Sequence, residues 1–494
     1  MSKVFLVGAG PGDPELLTLK GRRVLEGADA VLYDHLAPKE LLELAPPRAD
    51  RIYVGKKRTR HQLSQEEICA AMIDRARRGQ TVVRLKGGDP FIFGRGGEEA
   101  EALAEAGIDF EIVPGVTTPL GIAAYCGVPL THREHTSAVT FLTAHDPEAI
   151  DWVMAAGAET LVLFMGLTTL DLVMRKLIAA GRNANTPAMA VRWATRADQR
   201  VVTGSIADLA ARVAEAGMKP PATVVVGEVV RLRKKLSWFE KLPLFGQRLV
   251  VTRAQGQAGD FAARLRSLGA AVEEMPAIAI HPARDTRPLD EAIARLSEYD
   301  WLLFTSANGV RFFLERLDAS PADLRALRAR ICAIGPATAA AIKRLHLKVD
   351  LVPDEYVAES LVAAFAGVDL AGNRVLLPRA AMARDVIPEQ LRRRGAAVDV
   401  VEAYHTEPAE VSPERVKEIF DTPPDWITFT SSSTVNNFVA IAGKEVLRGV
   451  KVASIGPVTS ATAQRHGIAV AVEARQYTIE GLIDAMVAAR RASL

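Results

Sequence analysis

Strand-like apolar runs alternate with amphipathic helical stretches along nearly the whole chain, which predicts an α/β protein built of layered sheets and helices. Two further features divide that prediction into halves. Residues 83–99 form a loop with five glycines and three cations between a strand and a helix, a pattern suited to close approach of an anionic ligand to bare backbone. From about residue 246 onward the sequence repeats itself, which predicts two similar α/β domains with a cleft between them. At 494 residues, 49% of them apolar, the chain has material for three or four cores, each serving a unit of roughly 100–200 residues.

The elements follow in order. Val4–Val7 reads as a strand that runs into Gly8-Ala-Gly-Pro-Gly-Asp13, and a helix begins near Asp13-Pro14 with proline at an early helical position. Ser64-Gln-Glu-Glu67 is a capping box that opens a helix closing at Gly79. Val82–Leu85 is a strand ending on the glycine-rich loop, where Arg84, Lys86 and Arg95 are expected to face an anion, and Glu98–Ala106 is the helix beyond. Further strands are expected at 108–113, 139–143, 161–164, 188–193 and 223–226. A basic, aromatic stretch from Arg231 to Pro243 then breaks the alternation, which places a linker near 236–245.

In the second half, Leu249-Val-Val-Thr-Arg253 recurs 126 residues later as Val375-Leu-Leu-Pro-Arg379, and Gly269-Ala-Ala-Val272 recurs as Gly395-Ala-Ala-Val398. Asp300-Trp-Leu-Leu-Phe-Thr-Ser306 recurs as Asp425-Trp-Ile-Thr-Phe-Thr-Ser431, and Ile334-Gly-Pro-Ala-Thr338 as Ile455-Gly-Pro-Val-Thr459. Similarity among βα units explains one such pair; four pairs in the same order indicate duplication. Strands ending near Ser306, Pro336, Ser431 and Pro457 run directly into helices, whose free N–H groups favour anions, and Arg253, Arg379 and Arg384 add charge nearby.

Several function classes are disfavoured. No apolar run approaches the ~18 residues of a spanning helix, so no membrane is expected. Met1-Ser-Lys leads straight into the first strand, without the longer apolar region of a secretory signal. Cys69, Cys126 and Cys332 lie far apart, with neither metal-ligand spacing nor an even count for disulfides, so no metal and a cytoplasmic location are expected. A net charge of +2 gives no nucleic-acid footprint. Gly8–Asp13 imitates a dinucleotide fingerprint but reads G-x-G-x-G, with Pro11 between its last two glycines, so a nicotinamide-dependent dehydrogenase is only a minor alternative.

Taken together, the first-half motifs resemble the uroporphyrinogen-III C-methyltransferases of the tetrapyrrole methylase family. They are Val7–Pro14, Tyr33-Asp34, Val54-Gly-Lys56, Arg84–Glu99, Val113–Thr117, Gly127–Arg133, Phe164-Met-Gly166 and Val226–Val230. The resemblance implies a two-lobed domain over 1–240 that binds S-adenosylmethionine, with Pro11, Gly87, Gly88, Asp89, Ile92, Thr117, Thr118, Met165 and Ala194 around it. It implies Asp34 as proton acceptor and Lys56 as proton donor, although alone the first reads as a turn residue and the second as a solvated cation. Arg133 is expected to meet substrate carboxylates. Alanines at 144 and 194 replace glycines common in the family.

The duplicated half resembles uroporphyrinogen-III synthase, through Val251-Thr-Arg253, Phe304–Gly309, Tyr404-His-Thr406, Phe429-Thr-Ser431 and Ile455–Thr459. In that family the chain crosses between domains twice, which implies one domain of 246–281 plus 407–494 and another of 282–406. The resemblance offers Tyr404 as hydroxyl donor to the leaving group, and Arg253, Ser306, Arg379, Ser431 and Thr459 as substrate contacts; alone, Tyr404 reads as a half-buried strand tyrosine. The function implied is bifunctional: cyclisation of hydroxymethylbilane to uroporphyrinogen III, then methylation at C2 and C7 to precorrin-2, towards sirohaem or cobalamin. A homodimer through the methyltransferase half is also implied. The rival is a methyltransferase whose second half binds tetrapyrrole without catalysis.

Overall fold

The computed structural model describes residues 3–55, 63–254, 259–355, 358–382 and 385–493. The chain forms two compact units: one holds the residues up to Leu249 with Ala263–Val272 and Val487–Leu494, the other Val250–Ala262 with Glu273–Met486.

The first unit contains two five-stranded sheets. One is built from β1 (Val4–Gly8), β2 (Ala30–Tyr33), β3 (Asp50–Tyr53), β4 (Val82–Lys86) and β5 (Phe110–Val113), in the order β3-β2-β4-β1-β5. All four strand pairings in it are parallel. A parallel sheet is covered on both faces, and its strands are nearly continuously buried. Two apolar clusters do this: Val7, Val31 and Val83 pack with α1 (Leu19–Glu26) on one face. Leu6, Leu32 and Val82 pack with α2 (Gln65–Arg77) and α3 (Gly96–Glu105) on the other. The capping box at Ser64 and Glu67 forms as its sequence predicts.

Strand order determines where a ligand fits. β1 and β4 are neighbours, but the chain leaves β1 through α1 on one face and β4 through α3 on the other. The connections part at the carboxyl ends of these two strands, which is where open α/β sheets bind ligands. The loops at 9–13 and 87–95 lie there. The second sheet has the order β6-β7-β10-β8-β9, from β6 (Val139–Thr143), β7 (Thr160–Phe164), β8 (Pro187–Arg192), β9 (Arg200–Ser205) and β10 (Ala222–Val226). Only β6 and β7 run parallel; β10 and β9 are antiparallel to their neighbours.

The stretch expected to be a linker is folded against this unit. Trp238 donates its indole N–H to the Ala124 carbonyl at 2.8 Å, and Arg233 reaches the Cys126 carbonyl at 2.7 Å. Phe239 packs edge-on against Tyr125, with ring centres 4.8 Å apart. Both carbonyls belong to α4 (Thr118–Cys126). Its aromatic residues, which read as an interruption, bury apolar surface there instead.

The second half confirms the duplication in its topology. One sheet has the order β12-β11-β18-β19-β20 and contains β11 (Arg248–Val251), β12 (Ala271–Glu274), β18 (Trp426–Phe429), β19 (Lys451–Ser454) and β20 (Val472–Glu473). The other has the order β13-β17-β16-β14-β15, from β13 (Ile278–Pro282), β14 (Trp301–Phe304), β15 (Arg330–Ala333), β16 (Arg374–Ala380) and β17 (Ala397–Pro408). Matched by the repeat, β12-β11-β18-β19 superimposes in order on β17-β16-β14-β15, and the bridge Cys332–Leu351 stands where β20 does. Each sheet therefore joins the opening strands of one repeat to the later strands of the other. The two crossing segments pair with each other as an antiparallel ladder, from Ile278 opposite Pro408 to Pro282 opposite Tyr404. Both crossing strands thus lie in the second sheet, and the expected divisions at 281/282 and 406/407 fall inside them.

Candidate active sites

In the first unit three chain segments meet at bare backbone. A Cβ on Gly115 would stand 2.3 Å from the Gly88 carbonyl oxygen and 2.7 Å from the Gly8 Cα. Gly10 and Gly88 exchange backbone hydrogen bonds of 3.2 and 2.7 Å, and Gly88 takes φ +69°, a conformation that favours glycine. Asp89 fixes the crossing: its carboxylate accepts from Gly115 N at 3.0 Å and from Phe91 N at 2.8 Å. The loop's glycines mostly serve the chain's own packing. Gly87 abuts Leu36, and Gly94 and Gly96 abut the Pro90 carbonyl.

Most of the residues expected around the methyl donor converge on this junction. Thr118 Oγ1 lies 3.5 Å from where a Gly88 Cβ would be, and Thr117 is the N-terminal cap of α4 without using its side chain for capping. Pro11 sits on Gly121 of α4, and the next residue, Gly12, approaches the Ala194 carbonyl. Ile92 and Met165 are linked through their chain neighbours, since the Phe93 and Phe164 rings meet at a tilt with centres 4.8 Å apart. Met165 takes φ +54° and is half exposed at the end of β7. The donor set fits an adenosyl sulfonium ligand: a glycine crossing without side chains, two threonine hydroxyls and an exposed thioether.

Thr195 was not legible as a site residue. At φ +70° it accepts the Asp13 backbone N–H at 2.8 Å, and so ties the second sheet's loop to the first. Tyr125 donates to Asp13 from the other side, and burial with that contact pushes its phenol above the usual range.

Asp34 follows β2 at the rim. It accepts from Leu36 N at 3.0 Å and from Arg84 Nη2 at 3.2 Å, and His35 beside it meets the Trp193 ring edge-on. Lys56 lies outside the described residues. Arg133 is exposed, on a turn where His132 and His135 stack at 4.7 Å. Ligand atoms of His132, Glu134 and His135 come within 4.8 Å of one another, and His132 Nδ1 accepts the Glu134 N–H at 3.2 Å.

The expected anion-facing cations are a correction. Arg84 and Lys86 are 5% and 4% exposed and both reach Glu99, which is fully buried. Residues two apart on a strand share a face, and this face of β4 lies under α2 and α3, where a cation requires a carboxylate. Arg95 pairs with Glu98 on the surface at 2.6 Å.

In the second unit the structure brings Tyr404 and Ser306 together. Their hydroxyls are 2.9 Å apart, and Ser306 Oγ also accepts Gly309 N at the start of α5 (Ala307–Asp318). Tyr404 is buried against Phe312 and sits where the β16–β17 register shifts, a bulge of the kind that re-aims side chains. Ser431 caps its helix in the same way as Ser306. The helices at Pro336–Lys343 and Pro457–Arg465 are capped instead by Gly335 and Gly456, with no side chain on the first-turn amides. Thr459 is buried in that turn. Arg379 pairs with Asp385 at 2.5 Å, burial pushes the Arg253 guanidinium down from its usual value, and Arg384 lies outside the described residues.

Comparison with known proteins agrees with both halves. Residues 3–210 match the family model described as tetrapyrrole (corrin/porphyrin) methylases, and 259–484 match uroporphyrinogen-III synthase HemD. A porphyrin biosynthesis protein HemD from Ruminiclostridium josui is 37% identical over 97% of each chain. The uroporphyrinogen-III C-methyltransferase of Bacillus subtilis is 40% identical over 67% of this chain and 69% of its own. Sirohaem synthases match at about 50% identity, the chain spanning about half their length. A crystal structure of the Thermus thermophilus uroporphyrin-III C-methyltransferase with S-adenosylhomocysteine is 40% identical over 47% of this chain and all of its own, with a TM-score of 0.41. This chain belongs to the tetrapyrrole methylases in its first half and to the uroporphyrinogen-III synthases in its second.

Proposed function

We propose that the chain makes uroporphyrinogen III from hydroxymethylbilane in its second half and methylates it at C2 and C7 in its first, giving precorrin-2. The observation that carries this is that both family models match this one chain, over 3–210 and 259–484, and that a porphyrin biosynthesis protein matches it over 97% of each chain. S-adenosylmethionine, when bound, supplies an electrophilic methyl group. Gly88, Thr117 and Thr118 would hold it, with Asp89 fixing the backbone they stand on and Met165 and Ile92 on its flank. Aligning a carbon nucleophile with that methyl accounts for much of the barrier. The pyrrole carbon gains nucleophilicity as its N–H proton leaves, and Asp34 is the acceptor; Lys56 is proposed as donor.

For cyclisation, Tyr404 would donate a hydrogen bond to the departing hydroxyl, with Ser306 orienting the phenol. Arg253, Arg379 and the uncapped amides near Thr459 and Thr338 suit the eight carboxylates of a tetrapyrrole, and Arg133 those at the methylation site. No described helix is long and apolar enough to cross a membrane. Three buried free cysteines suit a reducing cytoplasm. A homodimer through the first half is part of the proposal, tested by sedimentation.

The test is titration of the full chain with S-adenosylmethionine and with NAD, followed by carbon-13 methyl transfer to uroporphyrinogen III. Two labelled methyl resonances, at C2 and C7, are expected. Binding of NAD alone, or label at other carbons, overturns the proposal.

A further inference from the structure

Behind Asp34 lies a buried row of four charges. Glu99 Oε1 accepts from Lys86 Nζ at 2.8 Å, Gln65 Nε2 at 3.0 Å and Arg84 Nε at 3.2 Å, while its Oε2 is buried with no partner. Arg84 spans the row: its Nε edge holds Glu99, Nη1 reaches the Leu85 carbonyl at 3.0 Å, and Nη2 holds Asp34. Two cations and two carboxylates balance, but only Asp34, 21% exposed, reaches solvent.

An arginine paired with a carboxylate makes it a weaker base. Left alone with Asp34, Arg84 would oppose the proton transfer proposed for that residue. Glu99 competes for the same guanidinium.

We propose that Glu99 is a positioning residue: by holding Arg84 through its Nε edge, it limits how strongly that guanidinium stabilises the Asp34 carboxylate. It thereby sets the pH below which methyl transfer fails. This rests on the assignment of Asp34 as proton acceptor. Among the described residues, the other groups facing the row are Cys69 on α2, Glu98 on α3 with its partner Arg95 at that helix's start, and Tyr33 and Tyr53 ending β2 and β3. Burial and Glu99 raise the Cys69 thiol, and burial and Asp34 raise the Tyr53 phenol, so neither adds charge at neutral pH. Burial and Arg84 push the Lys86 ammonium down, opposed by Glu99. Glu99 is therefore the carboxylate that both cations share.

The experiment measures the acid limb of the pH–rate profile for methyl transfer to uroporphyrinogen III, using the full chain at saturating S-adenosylmethionine. Glu99→Gln leaves an excess positive charge behind Asp34, and the limb moves to lower pH by about one unit. Lys86→Met leaves Glu99 to Arg84 alone, and the limb moves to higher pH. Glu99→Asp restores it towards the wild-type position. Shifts of opposite sign cannot come from loss of folding alone, and if Glu99→Gln does not fold, the direction in Lys86→Met decides. Limbs that stay in place, or move the same way in both variants, overturn the proposal and leave Glu99 a structural partner. Asp34→Asn separates the two claims: it removes the limb if Asp34 is the base, and a wild-type limb in that variant refutes the base assignment itself.

Discussion

Replacing Gly115 by alanine adds one methyl group at the point where β1, β4 and β5 end. That carbon would lie 2.3 Å from the Gly88 carbonyl oxygen, roughly 1 Å short of the ~3.3 Å at which carbon and oxygen ordinarily meet. Both other close atoms belong to the Gly8 backbone, so no side chain can rotate away. Overpacking a core costs typically 1–3 kcal/mol, and a clash with fixed backbone belongs at the upper end, about 3 kcal/mol. For a unit of this size that lowers the melting temperature by roughly 6–12 °C. The displacement also passes to Thr117, two residues on. Calorimetry on the full chain should therefore show the methylase transition falling while the other stays in place. Affinity for S-adenosylmethionine should drop and cyclisation of hydroxymethylbilane should persist. A methylase transition within about 1 °C of wild type, with unaltered cofactor affinity, would refute the claim that bare backbone at this crossing builds the site.

Thr195→Val removes the acceptor for the Asp13 N–H; stability of the first half should fall by about 1–3 kcal/mol and KM for S-adenosylmethionine should rise, as chemical unfolding and initial rates will show. Tyr404→Phe should reduce formation of the type III isomer by about 100-fold or more, read by chromatography of the oxidised porphyrins. Its stability should change by only about 1 kcal/mol, because Ser306 still caps Gly309. Hydrogen bonds from Lys20 and Lys3 hold the Glu111 carboxyl at about 2. Its folded value lies below the unfolded one, so its contribution is intact above the ordinary carboxylate range and is lost as pH falls towards 2. Screened as it is, that loss should stay under about 1 kcal/mol, and Lys20→Met should reduce it in acid unfolding, leaving the share held by Lys3.

The legible parts were those carried by local pattern. Strand positions followed from continuous apolar runs, because parallel strands covered on both faces need no alternation; the helix at Ser64 followed from its cap. The 126-residue repeat foretold two like sheets; that each would mix strands of both repeats followed only from the family resemblance, since exchange between duplicates leaves no local trace. The cations at 84 and 86 misled for a related reason. In a loop sequence they look solvent-facing, and only strand alternation under two helices shows that they need Glu99. A signal was present: two cations spaced by one residue at the end of a buried strand require an acid from the next helix. Thr195 and Gly115 gained importance through contacts 182 residues distant and between three separate loops, which no local window contains. Trp238 and Phe239 looked like linker because their apolar partner, Tyr125, lies far back in the chain.

The most direct measurement supplies the intact chain with hydroxymethylbilane and labelled S-adenosylmethionine, and nothing else. A single tetrapyrrole of the type III series carrying two labelled methyl groups is expected, formed without added synthase. Unmethylated uroporphyrinogen I, the product of unassisted closure, would contradict it.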